Sequence, residues 1–343
     1  MTIQAGLTRL LDGHDLSRDE ARVVMGEIMS GSATPAQIGG FLIALRLKGE
    51  TADEIAGCAE AMREHVLSVS PKRDDLVDTA GTGGDGAGTF NISTAAALVA
   101  AAAGAGVAKH GNRAVSSSSG SADVLEALGF DLEQPAERIE RSIDELGFGF
   151  LFAPSHHPAM RHAAPVRREL AARTVFNVLG PLTNPAGARA QVVGVYAPEL
   201  VPTIAEVLAQ LGARRAFVVH GAGGVDELSP IGPNLVCEVA DGQVSRREID
   251  PLDFGVPRCK PGDLAGGSPE ENAAAIRGIF GGAKGAKREA VLLNAGGAIA
   301  AGGHAEDLGE GYEIARRALD AGAAAERLEQ LVAFSQEKQA VAK

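Results

Sequence analysis

The chain has 343 residues and a formal net charge of −12, with 45% hydrophobic but only 4% aromatic residues. This length suffices for two domains with a sizeable core, and the acidic balance excludes a general nucleic-acid or acidic-membrane binder. The three scattered cysteines are typical of reduced thiols in a cytoplasmic protein, and we expect neither a secretory signal nor a membrane-spanning segment.

Residues 1–70 carry the start signals of several helices. In a capping box, a Ser or Thr caps the first turn and a Glu or Gln three residues later reaches back to it. In the second of these predicted helices, four apolar residues share one face by their 3.6-residue spacing. We predict a small helical domain, whose apolar faces either close its own core or form a subunit interface. The boxes are Ser17 with Glu20, Thr34 with Gln37, and Thr51 with Glu54, and the apolar face holds Ile38, Phe41, Leu42 and Leu45.

From residue 74 the pattern changes to alternating strands and helices, which predicts an α/β domain over 74–343 with a mainly parallel central sheet flanked by helices. An insertion around 160–180 is expected to join the helical domain. A hairpin is predicted around Asp241-Gly242, and helices dominate after a further capping box of Ser268 with Glu271. The predicted strands are 76–79, 107–109, 148–152, 191–196 and 216–220, with 235–239 and 244–249 in the hairpin.

The stretch 76–129 is the part of the chain that predicts a function. An apolar strand meets the glycine cluster 81–86, and hydroxyl and amide side chains then precede an alanine-rich helix. Glycines let main-chain N–H groups approach an anion, and the helix N-terminus adds unpaired donors and partial positive charge. This order predicts a phosphate cradle.

A second cradle follows the next strand. The strand ends in the basic run 109–113, and the serine-rich segment 116–121 leads into another helix. A dinucleotide-binding fold would need an acid where Lys109 stands, and a Walker A loop would need Gly-Lys-Ser/Thr after the glycines. Two cradles with Lys109 and Arg113 between them therefore favour a ligand with more than one phosphate group.

Two further groups of residues are candidates for binding. Asp226 and Glu227 follow a predicted strand, where adjacent carboxylates either hold Mg²⁺ beside phosphates or form a solvated turn. Arg167 either holds a substrate carboxylate through its two-pronged guanidinium or lies on a helix surface. His156 and His157 fit packing at a loop rim better than catalysis, and we expect the proline-containing loop 180–186 to be structural.

At this point the motifs support a resemblance. Gly-Thr-Gly-Gly-Asp at 81–85, Asn-Ile-Ser-Thr at 91–94, the run 109–117 and Gly-Ser-Ala-Asp at 120–123 resemble the anthranilate phosphoribosyltransferase family of nucleoside phosphorylase-like transferases. The resemblance extends over essentially the whole chain, as far as residues 291–303. It implies transfer of a phosphoribosyl group from phosphoribosyl diphosphate to the amine of anthranilate in tryptophan biosynthesis, with Mg²⁺. It also implies a homodimer formed through the helical domain.

The resemblance also implies roles for individual residues, none of them an acid or base. It assigns Mg²⁺ to Ser93, Asp226 and Glu227, and anthranilate to Gly81, Asn112 and Arg167. It assigns phosphoribosyl diphosphate to Gly81, Gly84, Asp85, Thr89, Asn91, Ile92, Ser93, Thr94, Lys109, His110, Gly111, Asn112, Arg113, Ala114, Val115, Ser116, Ser117 and Ser121.

The chain departs from the family pattern at two positions. Ala171 stands where the family usually has glycine, and Ser118 where it often has lysine. Two alternatives remain: a pyrimidine-nucleoside phosphorylase-like enzyme, and a non-catalytic relative that binds nucleic acid. The first should not need the pair Asp226 and Glu227, and the second should have lost these acids and gained basic surface.

Overall fold

The computed structural model describes residues 1–114 and 118–337, and these residues form helices on both sides of one β-sheet. The helices are α1 Ile3–Leu11, α2 Arg18–Met29, α3 Pro35–Lys48, α4 Ala52–Glu64, α5 Ile92–Ala102, α6 Ser121–Ala127, α7 Ala136–Leu146, α8 Ala153–His156, α9 Ala164–Leu170, α10 Phe176–Leu179, α11 Leu200–Gln210, α12 Pro269–Phe280, α13 Ala286–Ala301, α14 Leu308–Asp320 and α15 Ala323–Gln336. The strands are β1 Leu76–Gly81, β2 Gly106–Gly111, β3 Phe148–Phe152, β4 Ala190–Gly194, β5 Arg215–His220, β6 Asn234–Ala240 and β7 Gln243–Ile249.

The helical N-terminal part begins its helices where the sequence predicts. The three capping boxes of α2, α3 and α4 are formed, each with both reciprocal hydrogen bonds. The box that starts α12 is formed as well. Ile38, Phe41, Leu42 and Leu45 of α3 are all buried, so the predicted apolar face of this helix is confirmed.

The sheet has the strand order β3-β2-β1-β4-β5-β6-β7. Strands β1 to β5 are parallel, β6 is antiparallel to β5, and β7 is antiparallel to β6. The hairpin between β6 and β7 turns at Asp241 and Gly242, which both have positive φ. The predicted fold class is confirmed, and the predicted strand ends agree with the observed ones within two residues.

This topology determines where the candidate residues meet. Strand β1 lies between β2 and β4, and β5 follows β4. Because parallel strands end at the same edge of a sheet, the segments after β1, β2, β4 and β5 share one edge. The glycine loop 81–88, the segment 112–114 and the acidic loop 221–229 therefore all open there.

Helices cover both faces of the sheet. One face packs against α5 and α13, and the other against α11, which also contacts α4 of the helical part. The inserted segment packs in the same direction, since α9 contacts α3 and α10 contacts α4. Within the described residues, no helix combines the length and apolar character needed to cross a membrane.

Candidate active site

The glycine loop and the acidic loop are joined by direct hydrogen bonds. The amide of Gly83 donates to Asp226 Oδ2 at 2.8 Å, and the amide of Asp226 donates to Asp85 Oδ2 at 3.3 Å. A Cβ at Gly81 would lie 2.2 Å from Asp226 Oδ2, and one at Gly194 would lie 1.4 Å from the Asp226 carbonyl oxygen. Glycine is therefore required at both strand ends because the acidic loop passes directly over their backbone.

Glu227 is held by the start of helix α5. Its Oε1 accepts from the amide of Ser93 at 3.3 Å, and its Oε2 lies 3.5 Å from the hydroxyl of Thr89. The N-terminal amides of a helix carry partial positive charge, so this contact favours the ionised carboxylate. The segment 89–93 and the acidic loop are thus joined by direct contacts.

The acidic loop is also fixed from inside the core. Asn294 of α13 accepts from the amide of Leu228 at 3.0 Å and donates to its carbonyl oxygen at 2.7 Å. Asn234 accepts from the amide of Ser229 at 2.9 Å. All four residues are buried, and these bonds satisfy backbone groups that would otherwise be costly to bury.

The folded structure disfavours the ionised form of the two acids in this loop, Asp226 and Glu227. Burial, followed by the nearby charge of Asp85, raises the pKa of Asp226 to about 6. Burial and the charge of Asp226 raise the pKa of Glu227 well above its usual value. Crowded carboxylates of this kind suit a hard divalent cation, which prefers oxygen ligands and relieves their repulsion. The donor set therefore fits Mg²⁺.

The acids do not form a complete metal cage. Among residues 1–114 and 118–337, no three His, Cys, Asp or Glu side chains converge as a set able to hold a metal ion. A Mg²⁺ ion here would need further oxygens, and Mg²⁺ commonly completes its shell with water and substrate phosphate. Ser93, a half-buried residue whose amide donates to Glu227, carries a hydroxyl that could supply one such oxygen.

Lys109 differs from the expectation of a lysine open to the phosphates. Its side chain is 1% exposed, and Nζ donates to the carbonyl oxygen of Thr79 at 2.5 Å. Burial lowers its pKa to about 8, while the charges of Asp78, Glu227 and Asp226 act in the opposite direction. Strand β2 continues to Gly111, so Lys109 lies inside the sheet and is a buried counter-charge to these acids.

The other cation of this run, Arg113, is exposed but paired. Its guanidinium donates to Asp123 at 3.1 Å and also to Glu126, both on α6. The main chain of Ala114 is held too, because its amide donates to Asp123 at 2.8 Å. The predicted Val115, Ser116 and Ser117 lie outside the described residues.

His110 and His157 form a buried pair beneath this edge. Their Nε2 atoms lie 3.2 Å apart, and His110 Nδ1 lies 3.2 Å from the carbonyl oxygen of Gly180. Burial lowers the pKa of His110 to about 3 and that of His157 to about 4. Both rings are therefore neutral at pH 7, and the packing interpretation of His157 fits better than a general-base role.

Other residues predicted to bind phosphoribosyl diphosphate differ in how far their side chains are exposed. The side chains of Ile92 and Thr94 are fully buried, so only their main chain is available to a ligand. Asn91 donates to the carbonyl oxygen of Ser119 at 3.0 Å and thereby joins the two predicted cradles. Asn112 is exposed, and its carbonyl oxygen lies 3.3 Å from the hydroxyl of Ser121.

Arg167, the residue predicted to bind a substrate carboxylate, lies beside an aromatic ring. It lies on α9, is half-buried, and its guanidinium stands 5.0 Å from the ring centroid of Phe176. Burial lowers its pKa, and no carboxylate within the described ranges pairs with it. The Ala171 departure lies directly after this helix, with φ 46° and ψ 31°, so an alanine adopts the left-handed conformation there.

Sequence reasoning missed Arg173 and Tyr196. The Arg173 guanidinium stacks on the Tyr196 ring at 4.1 Å and donates to the carbonyl oxygen of Gly84 in the glycine loop. Strand and helix signals do not reveal this contact, because it joins three segments that are distant in the chain.

Comparisons with known proteins agree with this geometry. Residues 73–325 match a family model described as "Glycosyl transferase family, a/b domain", and residues 5–66 match "Glycosyl transferase family, helical bundle domain". An anthranilate phosphoribosyltransferase of Anaeromyxobacter sp. (strain Fw109-5) is 55% identical over 97% of this chain and 98% of its own length.

Solved structures similar to this chain are also anthranilate phosphoribosyltransferases. The crystal structure of anthranilate phosphoribosyltransferase from Thermus thermophilus has a TM-score of 0.92 and 51% identity, with 97% of this chain and 99% of that chain covered. The Saccharomyces cerevisiae enzyme, solved in complex with PRPP and Mg, has a TM-score of 0.88 and 29% identity, with 97% of each chain covered.

Proposed function

The chain belongs to the anthranilate phosphoribosyltransferases of the glycosyl transferase family, and on this premise we propose how its own residues perform the reaction. The enzyme transfers the phosphoribosyl group of phosphoribosyl diphosphate to the amine of anthranilate, giving N-(5-phosphoribosyl)anthranilate and diphosphate in tryptophan biosynthesis. Neither alternative, the nucleoside phosphorylase nor the nucleic-acid binder, is favoured, because the near-full-length relatives carry the transferase name.

Phosphoribosyl diphosphate is bound where the glycine loop, the start of α5 and the segment after β2 meet. The observation that supports this proposal most is the Gly83–Asp226 hydrogen bond, because it places an acidic loop beside a phosphate cradle. Within 81–85 and 91–94, the amides that do not already donate inside the protein, as those of Thr82, Gly83 and Ser93 do, supply uncharged N–H donors for the anion. Asn112, Arg113 and Ser121 face the same edge from the second cradle.

Asp226 and Glu227, with the hydroxyl of Ser93, hold Mg²⁺. When bound, the ion neutralises charge on the diphosphate leaving group. The amides of Gly83 and Ser93 hold the two carboxylates directly, and Asn294 holds the backbone of the loop that carries them. Burial and, after it, repulsion between neighbouring acids raise the pKa of both carboxyls, and the same repulsion favours binding of a cation.

Anthranilate is oriented by Arg167, together with Gly81 and Asn112. Its carboxylate is its one full charge, and the guanidinium binds it in a directional, two-pronged manner. The amine then needs to be held behind the ribosyl carbon, which becomes cation-like as diphosphate leaves. Positioning and electrostatics supply the rate enhancement, and no residue is assigned as an acid or base.

The helical domain forms the interface of a homodimer. Leu11 at the end of α1 is 71% exposed and Leu47 at the end of α3 is 82% exposed, and these two helices pack together. Large apolar side chains exposed on adjacent helices are typical of an association surface. Light scattering should give a dimer mass for the wild type and a smaller mass for Leu11→Glu/Leu47→Glu. An unchanged mass would contradict this interface.

The domain division of the chain is also a proposal. We place the helical domain at 1–70 with the insertion 160–180, and the α/β domain at 74–343. The contacts of α9 with α3 and of α10 with α4 support this division. The buried free thiols Cys58 and Cys237 support the expected cytoplasmic location, where thiols stay reduced.

The function is tested by the fluorescence of anthranilate. Its signal should fall when phosphoribosyl diphosphate is added with Mg²⁺ and should stay constant with a chelator. Uridine or thymidine with inorganic phosphate should give no reaction. Phosphorolysis of either nucleoside, or transfer at full rate with the chelator, would overturn the proposal.

A further inference from the structure

Arg173 occupies an unusual position for an exposed arginine. It lies in the turn between α9 and α10, and within the described part of the chain it forms no ion pair. Its guanidinium instead stacks on Tyr196, which follows β4, with 4.1 Å between Cζ and the ring centroid. From this stack it donates a hydrogen bond to the carbonyl oxygen of Gly84.

The glycine loop needs such support. Gly83, Gly84, Gly86 and Gly88 all have positive φ, between 63° and 74°. Glycine adopts these angles freely, but it loses more conformational entropy on ordering than any other residue. A loop that holds several of them in one conformation requires contacts from outside.

Two side chains hold the main chain of adjacent residues in this loop. Asp226 accepts from the amide of Gly83, and Arg173 donates to the carbonyl oxygen of Gly84. Tyr196 is itself anchored, because its amide donates to the hydroxyl of Thr82 at 3.1 Å and the amide of Thr82 donates to the carbonyl oxygen of Gly194 at 2.9 Å. The loop is thus held between β4 and the turn that carries Arg173.

We propose that Arg173, stacked on Tyr196, is a positioning residue that holds the glycine loop in the conformation that binds phosphoribosyl diphosphate. The inference rests on the proposed role of the glycine loop. Because the turn 171–175 joins two helices that contact the helical part, Arg173 also links that part to the phosphate cradle. The stack matters as much as the charge, since a planar guanidinium on an aromatic ring is fixed in direction.

Amide hydrogen exchange tests whether Arg173 holds the glycine loop in one conformation. In the protein without substrates, Arg173→Ala should increase amide exchange in residues 82–88 while leaving the exchange of α13 unchanged. Arg168→Ala is the matched control, because Arg168 is exposed on the neighbouring helix and its side chain makes no hydrogen bond within the described residues. It should leave exchange at 82–88 as in the wild type. Unchanged exchange in Arg173→Ala would overturn the proposal.

Steady-state kinetics test whether binding of phosphoribosyl diphosphate depends on this support of the glycine loop. Arg173→Ala should raise the KM for phosphoribosyl diphosphate roughly 5- to 30-fold, from the lost hydrogen bond and stack, with a smaller effect on kcat. Tyr196→Leu should act in the same direction, and Tyr196→Phe should fall between it and the wild type. Arg173→Lys should rescue little, because an ammonium keeps the charge but not the planar stack.

Two other outcomes would show which part of the proposal is wrong. Full rescue by Arg173→Lys together with a silent Tyr196→Leu would mean that Arg173 supplies charge alone, and the positioning role would be wrong. Faster exchange at 82–88 with an unchanged KM would leave the support of the loop established and contradict the role of this loop in binding phosphoribosyl diphosphate.

Discussion

The amide of Gly83 donates a hydrogen bond of 2.8 Å to the carboxylate of Asp226, although the two residues are 143 positions apart in the chain. This bond makes the glycine loop and the acidic loop one unit. Substitutions in the acidic loop must therefore be chosen so that this bond survives. An amide in place of the carboxylate keeps an acceptor for Gly83 and removes only the charge.

Asp226→Asn and Glu227→Gln should each lower the rate strongly, by about 100-fold or more if the carboxylates hold the metal. Burial raises the pKa of both acids, so the fold disfavours their charge at pH 7, and the neutral isosteres should be as stable as the wild type or more stable. Initial rates across a Mg²⁺ series and thermal melts measure the two effects. Asp12→Asn, at an exposed position, is the control. A variant that keeps its rate at limiting Mg²⁺ would not have lost a ligand.

Lys109→Met should destabilise the protein, because it leaves Asp78, Asp226 and Glu227 without their buried counter-charge. The loss of stability should be smaller than the cost of breaking a buried pair, about 3–5 kcal/mol, because burial already lowers the pKa of Lys109 and the variant no longer buries an ammonium. Methionine fills most of the space of the lysine stem. Urea unfolding at pH 7 gives the free energy of unfolding, with the exposed Lys72→Met as control. The deficit should shrink toward pH 5, where the acids with raised pKa become protonated. Normal stability with weak binding of phosphoribosyl diphosphate would instead place the ammonium on the phosphates.

Arg167→Ala should raise the KM for anthranilate by about 10- to 100-fold, which corresponds to roughly 1.5–3 kcal/mol for lost charged hydrogen bonds. The KM for phosphoribosyl diphosphate should change little, because the glycine loop and the acids remain. Arg167→Lys should recover only part of the loss, since it keeps the charge without the fork. The adjacent Arg168→Ala serves as control. If the affinity for phosphoribosyl diphosphate falls and that for anthranilate does not, Arg167 faces the phosphates.

The pair His110–His157 should make the protein sensitive to acid. Both have folded pKa values below the ordinary 6.5, about 3 and about 4, so the unfolded chain binds protons first as the pH falls. The stability that the neutral rings contribute is present above pH 6.5 and is lost as the pH falls toward 4.

His157→Gln isolates this effect, because its amide can still donate to His110 but does not titrate. The free energy of unfolding should fall with decreasing pH less steeply than in the wild type, by about 1 kcal/mol per pH unit between 6.5 and 4. Buried acids such as Asp78 titrate in the same window with the opposite sign, but they do so in both proteins and cancel in the comparison. Equal slopes would show that His157 is not buried as a neutral ring.

Ala171→Gly should stabilise the protein by up to about 1 kcal/mol, because an L-residue in the left-handed conformation is strained and glycine is not. Ala172→Gly is the matched control and should lower stability by about 0.4–1 kcal/mol, since its φ is not positive and glycine only loosens the unfolded chain. Denaturant unfolding measures both. The same sign for the two variants would contradict strain at Ala171.

Much of the fold followed from local sequence signals. The capping boxes at Ser17, Thr34 and Thr51 use bonds between residues three apart, so they are predicted correctly without any tertiary contact. Alternating apolar strands and helices predicted a parallel sheet, and a parallel sheet brings its strand ends to one edge. The approach of the glycine loop, the segment after β2 and the acidic loop was therefore implied before any distance was known.

The sequence by itself determined where helices and strands begin, the class of the sheet and the residue types at its binding edge, because these depend on neighbours along the chain. Only the tertiary structure decided how those residues are used. Lys109 is buried because β2 extends to Gly111 and both faces of a parallel sheet are covered. The stack of Arg173 on Tyr196 likewise depends on how distant segments pack. Burial and charge proximity are properties of packed segments, and no local pattern encodes them.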